Sequence, residues 1–419
     1  MTHVGDRTPA SISVAEHRDR ILSTVRPLRA VALPLAQALH LTLAEDVVAL
    51  VDVPGFDNSA MDGYALRRAD AAAAGPDAPV ALRVVADLPA GSALSPRLGP
   101  GEAARIMTGA PVPGDADCIV PIEDTDEGTA TVLIRQAPRP AAHIRRAGSD
   151  VHAGDAVLTA GRTLNGRDLA AAAATGSSIL RVHPAPRVGV LSTGSELRAA
   201  GERLERGQIH DSNSTLLAAA VAECGGIPVQ LGSVPDSEDA LRSLFERHAQ
   251  DVDAFVTSGG VSVGAFDVVK AVLAPLGVWF GPVRMQPGKP QGFGRWPGQD
   301  GREGTPIFAL PGNPVSVFVS FEEFVRPALL ALQGRSELHR PSMPATVTEG
   351  WRSPVGRAQF MPAFAERHPD GIWTVRPASR GGSGSHLVAS LAEANALATV
   401  PEDVTEVRAG ELVDVTLVP

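Results

Sequence analysis

The sequence predicts a multidomain α/β protein: a doubly wound parallel sheet, an inserted β-rich module, an elongated helical segment and a C-terminal β-barrel-like domain. Three observations predict it. From Pro186 onward, apolar strand-like runs alternate with amphipathic helical runs as βαβαβα. From Asp52 to about Asp150, and again from about Ser336, short alternating strands are divided by frequent proline and glycine. Finally, the strand-like runs after Pro186 end in loops rich in small residues, hydroxyls and carboxylates, and sheets of this class bind ligands at the carboxyl ends of their strands.

In chain order, Ser13 to Leu28 has helical spacing, with Val14, Ile21, Leu22 and Val25 on one side. A second helical run is expected over Leu33 to Leu41, then a strand at Val47 to Val51. The β-rich stretch follows, with strands such as Val80 to Val85 and Thr131 to Arg135. It carries two polar loops, Val53 to Leu66 and Arg105 to Asp117. In the first, Asp57, Asn58 and Asp62 lie among turn residues with Met61 and Tyr64. Either these acids satisfy their own backbone as Asx turns, or the loop is a binding surface. In the second, Thr108-Gly109 ends a short strand and could present a hydroxyl and bare backbone to a ligand. Asn165 or Gly166 starts a helix whose alanines, Ala170 to Ala174, permit close packing.

After Pro186 the expected strands are Arg187 to Leu191, Ile227 to Leu231, Asp253 to Val256, Trp279 to Val283 and Pro306 to Leu310. The expected helices are Ser212 to Cys224, capped by Asp211 or Ser212, then Ser237 to Ala249, Phe266 to Leu276 and Val315 to Leu332. The strand ends bring STGSE (Ser192 to Glu196), Asp236, TSGGVSVGAFD (Thr257 to Asp267), QPGKPQGFG (Gln286 to Gly294) and LPGNPVS (Leu310 to Ser316) to one edge. Gly259, Gly260 and Gly264 let a backbone approach a ligand closely, and a following helix start offers unpaired N–H groups. Taken alone, that stretch reads equally as an ordinary βα turn with a helix acid or as an anion cradle. A carboxylate such as Asp267 beside bound anion calls for a bridging divalent cation. The last part, with strands Ala345 to Thr348, Gln359 to Ala365, Trp373 to Arg376 and Leu412 to Leu417, reads as a small barrel or sandwich. Its loop from Arg380 to Leu397 has glycines and serines that either reach an anion or are plain surface. The expected divisions are 1–51 with 150–182, 52–149, 183–335 and 336–419.

Composition excludes several classes. The balance of 37 basic against 47 acidic residues lacks the basic footprint of nucleic-acid binding. No apolar run is long enough to span a bilayer and the N-terminus does not resemble a signal peptide, so the cytoplasm is the expected compartment and no membrane partner is expected. Two cysteines, Cys118 and Cys224, are too few for a disulfide framework and read as buried thiols. Lysine occurs twice, at Lys270 and Lys289, in a chain that otherwise uses arginine, so these positions call for a compact ammonium.

Taken together, DNSAMDGYA, IMTGAPVP, STGSEL, TSGGVSVGAFD, PGKP and LPGNPVS resemble the molybdopterin molybdenumtransferase family, which includes the C-terminal domain of gephyrin. The match runs from about Ser13 to the C-terminus in unbroken order. The resemblance implies four domains, a homodimer, and insertion of molybdate into adenylylated molybdopterin with release of AMP, dependent on a divalent cation such as magnesium. It implies that Glu196, Asp236 and Asp267 bind Mg2+ or orient water. Thr193, Gly194, Ser258, Gly259, Gly260, Ser262, Gly264 and Lys289 would hold the anionic nucleotide, and Pro311, Gly312, Asn313, Pro314 and Ser316 would shape the molybdate pocket. Asp62 and Thr108 would act from the second subunit, and Arg357 and Ser383 match more loosely as anion contacts. The upstream molybdopterin adenylyltransferase is an expected partner. This sequence has Ser195 where the family often has Asp, and Gln286 where it often has a basic residue. The competing readings are a molybdopterin adenylyltransferase, which is usually the doubly wound domain alone, and a gephyrin-like dimeric interaction scaffold.

Overall fold

The alternation after Pro186 folds as a six-stranded sheet in the order Ile227–Val234, Arg187–Thr193, Ala254–Ser258, Thr305–Leu310, Pro290–Trp296, Trp279–Pro282. The computed structural model describes residues 10–234, 237–261, 267–298, 303–379, 384 and 387–418. The first four strands are parallel; Arg187–Thr193, Ala254–Ser258 and Thr305–Leu310 are apolar and buried at their centres, as burial on both faces requires, whereas the edge strand Ile227–Val234 carries Gln230 and is partly exposed. The last two are antiparallel, which corrects the expectation of a wholly parallel sheet. Pro290–Trp296 was expected to be loop. It is a strand whose glycines make room for neighbours: a Cβ on Gly292 would lie 2.6 Å from the Phe280 ring.

Helices cover both faces. Asn213–Glu223 and the long helix running from Pro314 to Leu332 pack on one side with Val188, Val190, Val256 and Phe308. Glu238–His248 and Val268–Leu273 pack on the other with Leu191, Phe255 and Ile307. The long helix is interrupted by a π-helical turn, Phe321–Val325. The first helix, Val14–Leu22, starts with a capping box in which Ser13 and Glu16 exchange side-chain and backbone hydrogen bonds. It buries Val14 and Ile21 against the core of the α/β sheet.

Leu33 to Leu41 is not a helix. Val31–Pro34 is a strand paired with Ile179–His183, followed by one 3₁₀ turn at Leu35–Gln37. The predicted elongated helical segment therefore holds one α-helix among the described residues from 31 to 51 and 150 to 183, Gly166–Ala174, packed with short strands around Leu43, Leu164, Leu180 and Val182. Asn165 caps that helix and its partner Asp168 completes the box.

The inserted module is a five-stranded sheet, Cys118–Pro121, Gly63–Leu66, Glu102–Ile106, Val80–Leu88 and Thr131–Ile134. Tyr64, expected in a binding loop, sits in a strand, is fully buried, and donates its hydroxyl to the Gly128 carbonyl at 3.0 Å. The last module closes on itself: Ala358–Arg367, Trp373–Pro377, Ser342–Val347, Leu412–Leu417 and Ala396–Val400 pair in sequence, and the last pairs back with the first. It is a barrel. Met285–Gln286, from the α/β part, adds to its edge by pairing with Ala358 and Gln359.

Candidate active site

Parallel register brings the strand ends level. Ser192 lies beside Ser258, and Ser258 beside Leu310, so the turns that follow all leave the sheet at one height. They touch. The Gly259 N–H donates to the Leu310 carbonyl at 3.1 Å, and a Cβ on Gly312 would lie 3.6 Å from the Gly259 Cα. Gly259 and Gly260 have φ of 92° and 68°, and a Cβ on Gly259 would lie 2.7 Å from the Thr193 carbonyl. Both the dihedral and the space exclude a side chain there. The glycines thus serve the packing of the turns on one another; Ser262, Gly264, Asp236 and Ser383 lie outside the described residues.

Glu196 is exposed, and its carboxylate folds back over Gly194: a Cβ on that glycine would lie 2.6 Å from Glu196 Oε2. Asp267 is half-buried and immediately precedes helix Val268–Leu273. Lys289 reaches the same edge because its turn joins the end of Trp279–Pro282 to the start of Pro290–Trp296, two antiparallel strands that pair Pro282 with Pro290. It is exposed, and its carbonyl accepts from the Val283 N–H at 2.7 Å. Asn313 stands at the N-cap position of the long helix without a side-chain cap bond, Pro314 opens its first turn, and Ser316 is buried within that turn. Among the described residues no three of His, Cys, Asp and Glu cluster as a ready-made metal centre.

The barrel contributes too. Arg357 donates from Nη1 to Gln286 Oε1 at 3.3 Å, so the two positions read separately in the sequence are partners. A basic residue in place of Gln286 would face that guanidinium with like charge.

Sequence reasoning took Asp211 only as a helix cap and missed Asn213 altogether. Asp211 accepts from the Ser214 N–H at 3.0 Å, from Ser214 Oγ at 2.5 Å and from Ser192 Oγ at 3.0 Å, while Ser192 Oγ lies 3.2 Å from Ser258 Oγ. Asn213 donates from Nδ2 to the Gly312 carbonyl at 2.7 Å. One helix start therefore ties three strand-end turns together. An Asp-Ser-Asn run directly before a helix that follows a strand was the available clue.

Asp62 and Thr108 are far from this edge in sequence but adjacent in the inserted module. Both are exposed, and Thr108 donates to Asp62 Oδ1 from its backbone N–H at 2.7 Å and its hydroxyl at 2.8 Å. These bonds hold the Asp62 carboxyl below its ordinary range. Their neighbours behave otherwise: Asp57 accepts from Arg146 and from the Ala147 N–H, far along the chain, and Asn58 alone bonds locally, donating to the Phe56 carbonyl. Among the described residues no hydrogen bond or ion pair joins Asp62 or Thr108 to the strand-end residues of the same chain.

Three family models cover the chain: the MoeA N-terminal region (domain I and II) over residues 12–176, a probable molybdopterin binding domain over 189–331, and the MoeA C-terminal region (domain IV) over 344–418. Molybdopterin molybdenumtransferase 2 of Mycobacterium tuberculosis strain H37Rv is 46% identical over 95% of this chain and 97% of its own. Molybdopterin molybdenumtransferase of Haemophilus influenzae is 35% identical over 93% and 94%. A solved molybdopterin biosynthesis moeA protein of Pyrococcus horikoshii superposes with a TM-score of 0.78 at 28% identity, covering 98% of this chain and 100% of that one. A second, titled as from Pyrococcus horikosii, reaches 0.82 at 31% over 97% and 99%. With strand-end turns of the expected composition in register and relatives of this identity over nearly the whole length, the chain belongs to the molybdopterin molybdenumtransferase family, transferases of molybdenum cofactor biosynthesis.

Proposed function

We propose that the chain transfers molybdate into adenylylated molybdopterin with release of AMP, at the level edge formed by Thr193-Gly194, Ser258-Gly259-Gly260 and Pro311 to Ser316. The observation that carries this is the contact of glycine turns at the level strand ends, packed too closely for side chains, so that backbone lines the edge where an anion would bind. Lys289, and Arg357 held by Gln286, supply positive charge around it. Asp211 and Asn213 keep the turns in place.

The carboxylates Glu196, Asp236 and Asp267 are assigned to Mg2+. Carboxylate oxygens are the hard donors this ion takes, and Glu196 presents an exposed carboxylate against Gly194. A bound magnesium would offset charge on the phosphoric anhydride. The residues' own work is to cradle the anion, to hold water near the anhydride and to keep the two reactants in line.

A homodimer places Asp62 and Thr108 of a second copy opposite this edge. Their exposed, pre-bonded arrangement without partners in the strand-end site supports it, as do the exposed apolar Leu50, Val51 and Ile179 around the end of helix Gly166–Ala174. Cytoplasmic location, a working contact with the adenylyltransferase, and division at 1–51 with 150–182, 52–149, 183–335 and 336–419 belong to the same reading. Separate apolar clusters in the inserted module and the barrel favour that division. Among the described residues no helix is long and apolar enough to cross a membrane.

The test is AMP release by purified protein given adenylylated molybdopterin, molybdate and magnesium, with Glu196→Gln losing it and the dimer surviving. Normal release by that variant would overturn the site. Formation of the AMP adduct from molybdopterin and ATP would point to the adenylyltransferase instead.

A further inference from the structure

We propose a second anion site, for a small phosphate-class oxyanion, between the turn at Gly161 to Thr163 and the segment that leads from the long helix into the barrel. A cavity of about 460 Å³ lies there, walled by Arg162, Arg326, Arg335, His339 and Arg340, with Glu337 as the acid among them. In a chain of net charge −10, such a concentration of cations is local and calls for counter-charge.

Three of the arginines have a carboxylate already. Arg162 lies 2.8 Å from Asp168, Arg340 lies 2.8 Å from Glu322, and Arg326 is 3.9 Å from that same Glu322. Arg335 differs. Among the described residues its guanidinium has no hydrogen-bond acceptor and no carboxylate partner, and its Nε is sealed from solvent without one. Setting Asp168, Glu322 and Glu337 against the four arginines leaves one guanidinium over. Burial lowers the pKa of both Arg335 and Arg326, and the neighbouring Arg340 adds to the lowering at Arg326.

Its Nε apart, the Arg335 guanidinium keeps its terminal N–H groups open to solvent, and two of them match two oxygens of one ligand. Thr163, from the turn, and Ser336, from the segment after the helix, line the same cavity. The ligand chemistry is therefore a compact, multiply charged oxyanion, not an apolar or cationic molecule. This site is separate from the strand-end edge. The long helix starts at the one, Pro314, and ends near the other, Leu332, roughly 27 Å on at 1.5 Å per residue. An oxyanion bound here would fasten the 161–163 turn to the 335–341 segment.

Titration calorimetry at fixed ionic strength tests this with inorganic phosphate and, separately, AMP, on the full chain. We expect saturable phosphate binding that Arg335→Gln weakens at least ~10-fold and Arg335→Lys weakens less, since a charge remains. Lys289→Ala, at the strand-end edge, should leave it intact. Phosphate binding alone identifies a free oxyanion; tighter AMP binding with the same dependence on Arg335 identifies a nucleotide-borne phosphate. Arg162→Gln, on the facing wall, gives the same reading should Arg335→Gln not fold. Absence of saturable binding of both ligands, affinity unchanged in the arginine variants, or loss in Lys289→Ala alone overturns the proposal.

Discussion

Thr108 gives two hydrogen bonds to one oxygen of Asp62, from its backbone N–H and from its hydroxyl. The backbone bond is the larger cause of the lowered Asp62 pKa and the hydroxyl bond the next. A depressed carboxyl stays ionised to lower pH, and what depends on its charge is lost as pH falls through the folded value. Thr108→Val removes the hydroxyl bond alone, so the Asp62 carboxyl should titrate closer to the ordinary 3.8, followed by carbon NMR. Asp62→Asn should cut AMP release by at least ~100-fold, the usual scale for an acid–base or charge-orienting group, without dissociating the proposed dimer. Retention of full activity by Asp62→Asn would remove this pair from the site.

Gly259→Ala combines a forbidden φ with a Cβ 2.7 Å from the Thr193 carbonyl. The strain amounts to about 1–3 kcal/mol, and relief must come from moving the turn away from Gly312 and Leu310. Nucleotide affinity should fall by about 10–100-fold, measured by equilibrium binding, since each 1.4 kcal/mol is a factor of ten. Alanine at Gly277, where nothing lies within 4 Å of the new Cβ, shares the positive φ of 86° without the clash, and serves as the control: comparable strain, unchanged affinity.

Gln286 and Arg357 share one hydrogen bond across two modules. If Arg357 touches the anion only when Gln286 holds it, Gln286→Ala and Arg357→Ala should not add. A double-mutant cycle on kcat/KM should show a coupling of about 0.5–1.5 kcal/mol. Strict additivity would show that the bond carries nothing.

Glu323, on the π-helical turn and 3.8 Å from Arg18, has its carboxyl pushed by burial up to about 7, with Arg18 opposing and Glu322 adding to the rise. Between the unfolded value of 4.5 and about 7 the folded chain holds the extra proton, so this group's contribution to stability declines as pH rises through that window. Glu323→Gln should therefore raise the melting temperature at about pH 8, by an effect on the order of 1–3 kcal/mol after loss of Arg18's partner, and change little at about pH 4.5. Equal shifts at both values would contradict this assignment of the proton.

The α/β alternation, the barrel strands and the level of the strand-end turns were legible because helix and strand periods differ and because each turn has its own small-residue composition. Misreadings arose where distant chain decided. Leu33 to Leu41 has helix-like apolar spacing, but Val31–Pro34 finds an edge at Ile179–His183 far along the chain, and Pro34 denies the helix an N–H. Pro290–Trp296 looked like loop because its glycines were read as part of a strand-end turn, whereas Phe280 and Val278 press against them. Asp211 and Asn213 escaped notice as site residues because a cap and a scaffold for neighbouring turns are written with the same short polar side chains. Tyr64 was misplaced for the opposite reason: an aromatic among acids reads as a surface contact until a sheet closes over it.

The turn that carries Lys289 belongs to two sheets at once. Its flanks are strands of the α/β sheet, and Met285–Gln286 within it is hydrogen-bonded to the first barrel strand. A swing of the barrel that preserves this pairing must carry the lysine with it, so barrel orientation and the reach of that ammonium are one mechanical coordinate. Whatever clasps the barrel, from within the chain or outside it, thereby acquires leverage over where that charge is presented.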